Sequence, residues 1–270
     1  MTAPAVAVSD RRSMDYLMRR LLKRTARSFG YEIVRQAPSE PVRFPADASP
    51  EDRAILAAIA PFTMTSVERQ LALIHSVRHV IRRKIPGCFV ECGVWRGGSA
   101  MAAALALEQE GDSERELYLF DTFEGMTKPT EHDRSFDGES AGAQLKRSDR
   151  SENIWCYADL ADVQANMRST GYPEQRVHFI KGPVEQTIPV HPPVPAIALL
   201  RLDTDWYEST KHELEHLFPL LVQGGIMILD DYGHWQGARQ AVDEYLERLP
   251  HSYFLHRIDY TGRLLVKHAT

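Results

Sequence analysis

The sequence predicts an α/β protein: a doubly wound, mostly parallel sheet with a C-terminal antiparallel hairpin and an N-terminal helical extension. Three observations predict it. Five short apolar runs, CFVEC (88–92), LYLFD (117–121), RVHFI (176–180), AIALLRLD (196–203) and GIMILDD (225–231), have the length and composition of buried strands. Helical patterns alternate with these runs, which is the signature of parallel pairing. The tail, SYFLHRI and RLLVKH around Asp259–Gly262, reads as two short strands joined by a turn.

In chain order, residues 1–10 read as a loose leader. Ser13 to about Phe29 carries Tyr16, Leu17, Leu21 and Leu22 at helical spacing against arginines. Residues 37–50 hold four prolines and read as a linker. A helix is expected from about Ser66 to Arg83, where Leu71, Leu73, Ile74, Val77, Val80 and Ile81 share a face. The first strand runs into a Gly-rich turn and then the Ala-rich helix MAAALALEQE. Residues 122–155 are polar and irregular. Asp159 is placed to cap a helix to about Ser169, and helices are expected over about 208–222 and 236–248. The domain division that follows is a basic helical extension with linker over 1–59 and a catalytic domain over 60–270.

The chain has 270 residues, with 37 acidic and 32 basic side chains and a formal net charge of -5. That balance argues against a dedicated nucleic-acid binder. It is uneven: residues 1–36 carry +5, leaving -10 for the rest. A basic helix of this kind can touch anionic lipid weakly, pack on a second subunit in a homo-oligomer, or simply present a solvated face. No apolar run approaches the ~20 residues that span a bilayer. The N-terminus lacks the apolar core of a secretory signal. Three cysteines (Cys88, Cys92, Cys156) form no disulfide framework, so a cytoplasmic location is expected.

Ligands of doubly wound sheets bind beyond the carboxyl ends of the strands. The first strand ends in Glu91-Cys92-Gly93-Val94-Trp95-Arg96-Gly97-Gly98-Ser99. Glycines there let the backbone turn sharply and approach a ligand closely. The spacing is not that of the dinucleotide fingerprint. The second strand ends at Asp121, where an acid commonly holds a ribose; with the Gly-rich turn before it, a nucleoside ligand is favoured. The later strands run into Arg201-Leu202-Asp203-Thr204-Asp205 and Asp230-Asp231. Carboxylates gathered at one edge repel and raise one another's pKa. A hard divalent cation such as Mg²⁺ offsets that; capping of helices, or pairing with Arg201 and Arg239, is the plainer alternative.

His212-Glu213-Leu214-Glu215-His216 matches a zinc-protease pattern. Leu214, Leu217, Phe218, Leu220 and Leu221 make it an ordinary amphipathic helix, so zinc is not expected there. Cys88 and Cys92 read as small buried residues. His132 lies in a long loop of the kind that often covers a site. A histidine there can serve as a base, although a solvated loop histidine is the plainer reading.

With these pieces assembled, the sequence resembles the macrocin O-methyltransferase (TylF/MycF) family. The stretches that carry the resemblance are PFTMTSVERQLAL (61–73), PGCFVECGVWRGGS (86–99), LFDTFEGM (119–126), ALLRLDTDWYEST (198–210) and ILDDYGHWQGARQAVDEY (228–245). The resemblance implies a Rossmann-like methyltransferase sheet and Mg²⁺-dependent methyl transfer from S-adenosylmethionine. The acceptor it implies is a hydroxyl, of a sugar on a natural product, glycolipid or polysaccharide. It implies that Glu91, Gly93, Arg96, Gly97, Ser99, Asp121 and Phe123 bind the cofactor, with Asp121 on the ribose. It makes Asp203, Asp230 and Asp231 the metal ligands and Asp203 the base, with His132, by its place in the long loop, the other candidate base. A nicotinamide-dependent oxidoreductase and a cofactor-binding module without turnover are the alternatives weighed.

Overall fold

The computed structural model describes residues 44–149, 153–188 and 196–268. The expected leader and the basic helix over Ser13–Phe29 lie outside the described residues. The chain divides between Pro45 and Ala46, and the account below concerns the unit that begins at Ala46.

Seven strands form one sheet: β1 (Cys88–Cys92), β2 (Leu117–Asp121), β3 (Val177–Lys181), β4 (Ile197–Leu202), β5 (Leu221–Leu229), β6 (His256–Arg257) and β7 (Arg263–Val266). Their order is β3-β2-β1-β4-β5-β7-β6. The first five pair in parallel, and β7 runs antiparallel to both β5 and β6. Every residue of β1 and β4 is buried. Strands covered on both faces need no alternation with polar residues, which is why both read as continuous apolar runs.

Side chains alternate across that sheet. Cys88, Val90 and Cys92 join Leu200, Leu202, Met227 and Leu229 in one core. Val184 of α6 (Val184–Thr187), Leu214 and Leu217 of α7 (Tyr207–Leu217) and Val242 and Tyr245 of α8 (Gln236–Glu247) complete it. The intervening residues, Phe89, Glu91, Leu199 and Arg201, face Leu73 of α2 (Val67–Arg82) and Ala100 and Ala103 of α3 (Gly98–Gln109). Helix α3 is buried along most of its length, and its alanines let it lie close to the sheet.

One further helix was not expected from the sequence. Pro50–Ile59 (α1) starts inside the predicted linker, and it lies in the unit that begins at Ala46. Ser49 caps it, Pro50 occupies the first turn, and the Ser49 N–H donates to the Asp52 carboxylate. Proline at the first helical position loses no hydrogen bond. The irregular segment 122–155 contains another short helix, α4 (Ala141–Arg147). The predicted cap of α5 (Leu160–Arg168) forms: the Asp159 carboxylate accepts the Asp162 N–H at 2.8 Å.

The topology reverses at β1, which passes first to β2 on one side and later to β4 on the other. The backbone ladder continues just past the strand ends. Gly93 N–H donates to Phe120 C=O, Asp203 N–H to Cys92 C=O, and Asp230 N–H to Leu202 C=O, each at 2.9 Å. This row sets the acids of three separate segments side by side.

Candidate active site

A cleft of ≈ 1060 Å³ opens at that edge of the sheet. One wall is the turn after β1. Gly93 (φ 82°) is required there, since a Cβ would lie 1.9 Å from the Asp203 carbonyl oxygen. Asp121 holds the turn from the next strand. Its carboxylate accepts the N–H groups of Val94 (2.6 Å), Trp95 (3.1 Å) and Phe123 (2.7 Å). The Thr122 hydroxyl donates to the Gly125 carbonyl at 2.7 Å and lies 3.4 Å from Asp121 Oδ1. A carboxylate has about four lone-pair sites, and the longest of these four contacts, that of Thr122, is the one a ligand hydroxyl can displace. Burial pushes the Asp121 pKa up, and the three backbone bonds work against that.

The floor is acidic. Asp203, Asp230 and Asp231 each place an oxygen within 4.8 Å of the others. Among the described residues this is the group of carboxylate, cysteine and histidine side chains able to hold a metal ion. Burial, and then neighbouring acids, raise the pKa of Asp203 and Asp231 well above the usual carboxylate range. Arg201 lies beneath them. Its Nη1 meets Glu91 at 2.7 Å, and its Nη2 meets Asp203 and Asp230, each at 2.7 Å. Arg69 of α2 also pairs with Asp230, and its Nε donates to Asp259 at 3.0 Å. The acids outnumber these two cations, and three carboxylates without enough countercharge fit a divalent cation with oxygen ligands.

Asp205 completes the floor. It has φ +65°, a conformation that aspartate tolerates better than most residues. The Trp235 indole N–H donates to it at 2.5 Å, and burial followed by the charge of Asp203 lifts its pKa to about 7. The sequence signal for it was present in the LDTD string, but two acids two residues apart do not show which one faces a cleft. Arg69 carried no such signal, because a helix far upstream delivers it.

The predicted site residues divide. Gly93, Ser99, Asp121, Asp203, Asp230 and Asp231 line the cleft. Glu91 does not: it is buried against Arg201 in the adjacent strand, and burial lifts its pKa to about 7. Arg96 points away to Asp162 (2.8 and 3.0 Å) and lies over the Phe62 ring. Gly97 supplies a left-handed turn at the start of α3, packed beside Val163. Phe123 is buried edge-on to Phe179. His132 lies outside the lining: it stacks on Tyr207 with ring centroids 4.5 Å apart, and its Nδ1 is 3.2 Å from Gln240 Oε1. Its neighbour Asp133 anchors the loop by accepting the N–H groups of Tyr207 and Thr130 at 2.8 and 2.6 Å. In the zinc-protease-like string, Glu213 turns into the core, where Thr204 donates to it at 2.9 Å, while His216 is exposed. That glutamate is spent inside the fold.

The sequence profile of the macrocin O-methyltransferase (TylF) family matches residues 9–267. The chain belongs to that family. It is therefore an S-adenosylmethionine-dependent O-methyltransferase, a member of the TylF group by sequence and by fold. Its curated relatives include a tetracenomycin-rhamnoside 4'-O-methyltransferase of Streptomyces olivaceus, 35% identical over 74% of this chain and 73% of that one. Mycinamicin III 3''-O-methyltransferase of Micromonospora griseorubida is 33% identical over 84% and 87%. Among solved structures, the O-methyltransferase NovP superposes with a TM-score of 0.67 at 29% identity, covering 77% of this chain and 83% of that one. The calicheamicin methyltransferase CalS11 shares the fold, with a TM-score of 0.57 at 19% identity over 86% and 99%. The family assignment replaces the nicotinamide and binding-module alternatives.

Proposed function

We propose that this TylF-family enzyme methylates a sugar hydroxyl of a glycosylated small molecule, and that Asp203, Asp230 and Asp231 hold Mg²⁺ for the reaction. The observation that carries the reading is the three-acid floor facing Asp121 across one cleft. The printed activities of the relatives, on a rhamnoside and on mycinamicin III, support the acceptor class.

S-adenosylmethionine, when bound, would supply the methyl group, the electrons of the broken C–S bond staying on sulfur, which departs as a neutral thioether. A cation on the three acids supplies charge that acidifies a nearby hydroxyl and orients it. The chain does the rest. Asp121 takes a ribose hydroxyl in place of the long Thr122 contact, while Gly93 and Ser99 line the space beside it. Arg201 and Arg69 hold Asp230 in place from below. Asp205 lines the cleft, lies outside the three proposed metal ligands and is held in a fixed orientation through Trp235, so it receives the acceptor's proton. Holding both reactants in line is worth up to ~7–11 kcal/mol in well-oriented systems.

The test is turnover of S-adenosylmethionine with an α-L-rhamnoside panel. Turnover is expected with Mg²⁺, lost in EDTA and restored by adding the ion back. Asp205→Asn is expected to lower kcat by ~10²–10⁴-fold while S-adenosylhomocysteine still binds. Full turnover in EDTA refutes the metal role, and no turnover on any sugar refutes the acceptor class.

A further inference from the structure

We propose that Phe136, His234 and Tyr260 form an aromatic shelf at the mouth of the cleft that docks the apolar aglycone of the glycoside acceptor; the proposal rests on the sugar reading above. The three residues come from separate loops at the carboxyl edge of the parallel strands. Phe136 follows Ser135, which bridges to Trp235. His234 follows β5. Tyr260 lies in the turn between β6 and β7, which returns to the same edge because β7 is antiparallel to β5.

Each is tied to a residue that lines the cleft. The His234 N–H donates to the Asp231 carbonyl at 2.9 Å. Tyr260 adjoins Asp259, which holds Arg69. Trp235, beside His234, donates to Asp205. The rings also touch one another. Phe136 and His234 have centroids 5.7 Å apart, His234 and Tyr260 6.1 Å, and the Tyr260 hydroxyl lies 3.3 Å from His234 Nδ1.

Phe136 is nevertheless 65% exposed and Tyr260 59% exposed. Large aromatic rings left bare side by side mark a binding surface more than a solvated one. They offer rigid apolar area at little entropic cost. The site's layout gives the occupant. The cleft carries both the Asp121 wall and the three-acid floor, so the methyl donor and the acceptor sugar must share it. With the methyl donor and a sugar inside, a bulky aglycone extends past the lining, and the shelf is an exposed apolar surface on the side of Asp231 and Arg69.

The experiment measures binding of methyl and 2-naphthyl α-L-rhamnoside to the full chain loaded with S-adenosylhomocysteine and Mg²⁺, by calorimetry. The naphthyl glycoside is expected to bind at least tenfold more tightly. That ratio falls below threefold in Phe136→Ala/Tyr260→Ala, and Tyr260→Phe, which keeps the ring, retains it. Both substituted positions are exposed, and an unchanged melting temperature confirms that the variants fold. Equal affinities in the wild type, or a ratio untouched by the double substitution, overturn the shelf. So does dissociation of an oligomer by the double variant, which assigns the rings to a second copy of the chain. Absence of methyl transfer to either rhamnoside counts against the sugar reading alone, because the binding ratio is read without turnover.

Discussion

Arg201 is the one charged residue in a strand otherwise built of Ile, Ala and Leu, and it is 4% exposed. A buried guanidinium is tolerable only where its donors are matched, and here Glu91, Asp203 and Asp230 match them. It fixes the directions of two proposed ligands at once, through a planar fork that lysine lacks. Arg201→Met is expected to strand those acids and to cost about 3–5 kcal/mol of stability, the range for removing one partner of a buried pair. Urea unfolding at pH 7 checks it, and a loss within 1 kcal/mol (roughly that of a surface pair) would show that the acids find other partners. The sequence offered Arg201 and Arg239 alike as partners for the strand-end acids. Only Arg201 fills that role, since strand register puts it opposite Glu91, whereas Arg239 reaches Asp243 one turn along its own helix at 3.4 Å. Arg69 was invisible for the converse reason. Its partner Asp230 lies 161 residues away, and no local pattern reports a meeting at that range.

At the scale of elements, the strands β1 and β2 were legible to the residue, because a run buried on both faces is bounded by the turn residues on each side. The start of β5 was not. Leu221 and Val222 read as the end of a helix and the strand as starting at Gly225, yet the α-helix already ends before Pro219 and the strand begins at Leu221. Helix α1 was hidden by its prolines, although Ser49-Pro50-Glu51-Asp52 is a start signal once Pro50 is taken as the first helical residue. That start is sensitive to pH. Burial alone would raise the Asp52 pKa, but the Arg78 guanidinium, the Ser49 N–H and His75 outweigh it and hold the carboxyl below its ordinary value. A depressed folded pKa means stability that is fully present above about pH 3.9, the unfolded value, and lost as pH falls through the folded one. Asp52→Asn is therefore expected to cost about 1–2 kcal/mol at pH 7, with the difference from wild type closing as pH drops below 4. Parallel urea titrations at pH 7 and pH 3 measure it, and a gap that persists unchanged at low pH would contradict the ionic account.

For the molecule as a whole, the net charge of -5 hides where the charge sits. The cleft alone is lined by six acids (Asp121, Glu185, Asp203, Asp205, Asp230, Asp231) against two arginines. Composition could show an acid excess but not its convergence, which depends on β1, β4 and β5 lying side by side and delivering their ends in one row. Folding thus brings together carboxylates that the unfolded chain keeps apart, at a cost visible in the raised pKa values of Asp203 and Asp231. An ion that binds the folded cluster and not the dispersed acids stabilises the fold by mass action. At a Mg²⁺ concentration ~100 times its Kd the gain is about 2.7 kcal/mol. For a unit of this size that corresponds to a rise in Tm of about 5–10 °C. Sodium chloride at matched ionic strength is expected to give less, because diffuse screening acts weakly on buried pairs. Asp231→Asn removes one proposed ligand and one of the repelling charges, so it should raise the Tm measured without metal while shrinking the Mg²⁺ increment. Calorimetric scans of both proteins with and without the ion separate the two effects, and an equal increment in wild type and variant would place the bound ion somewhere other than these three acids.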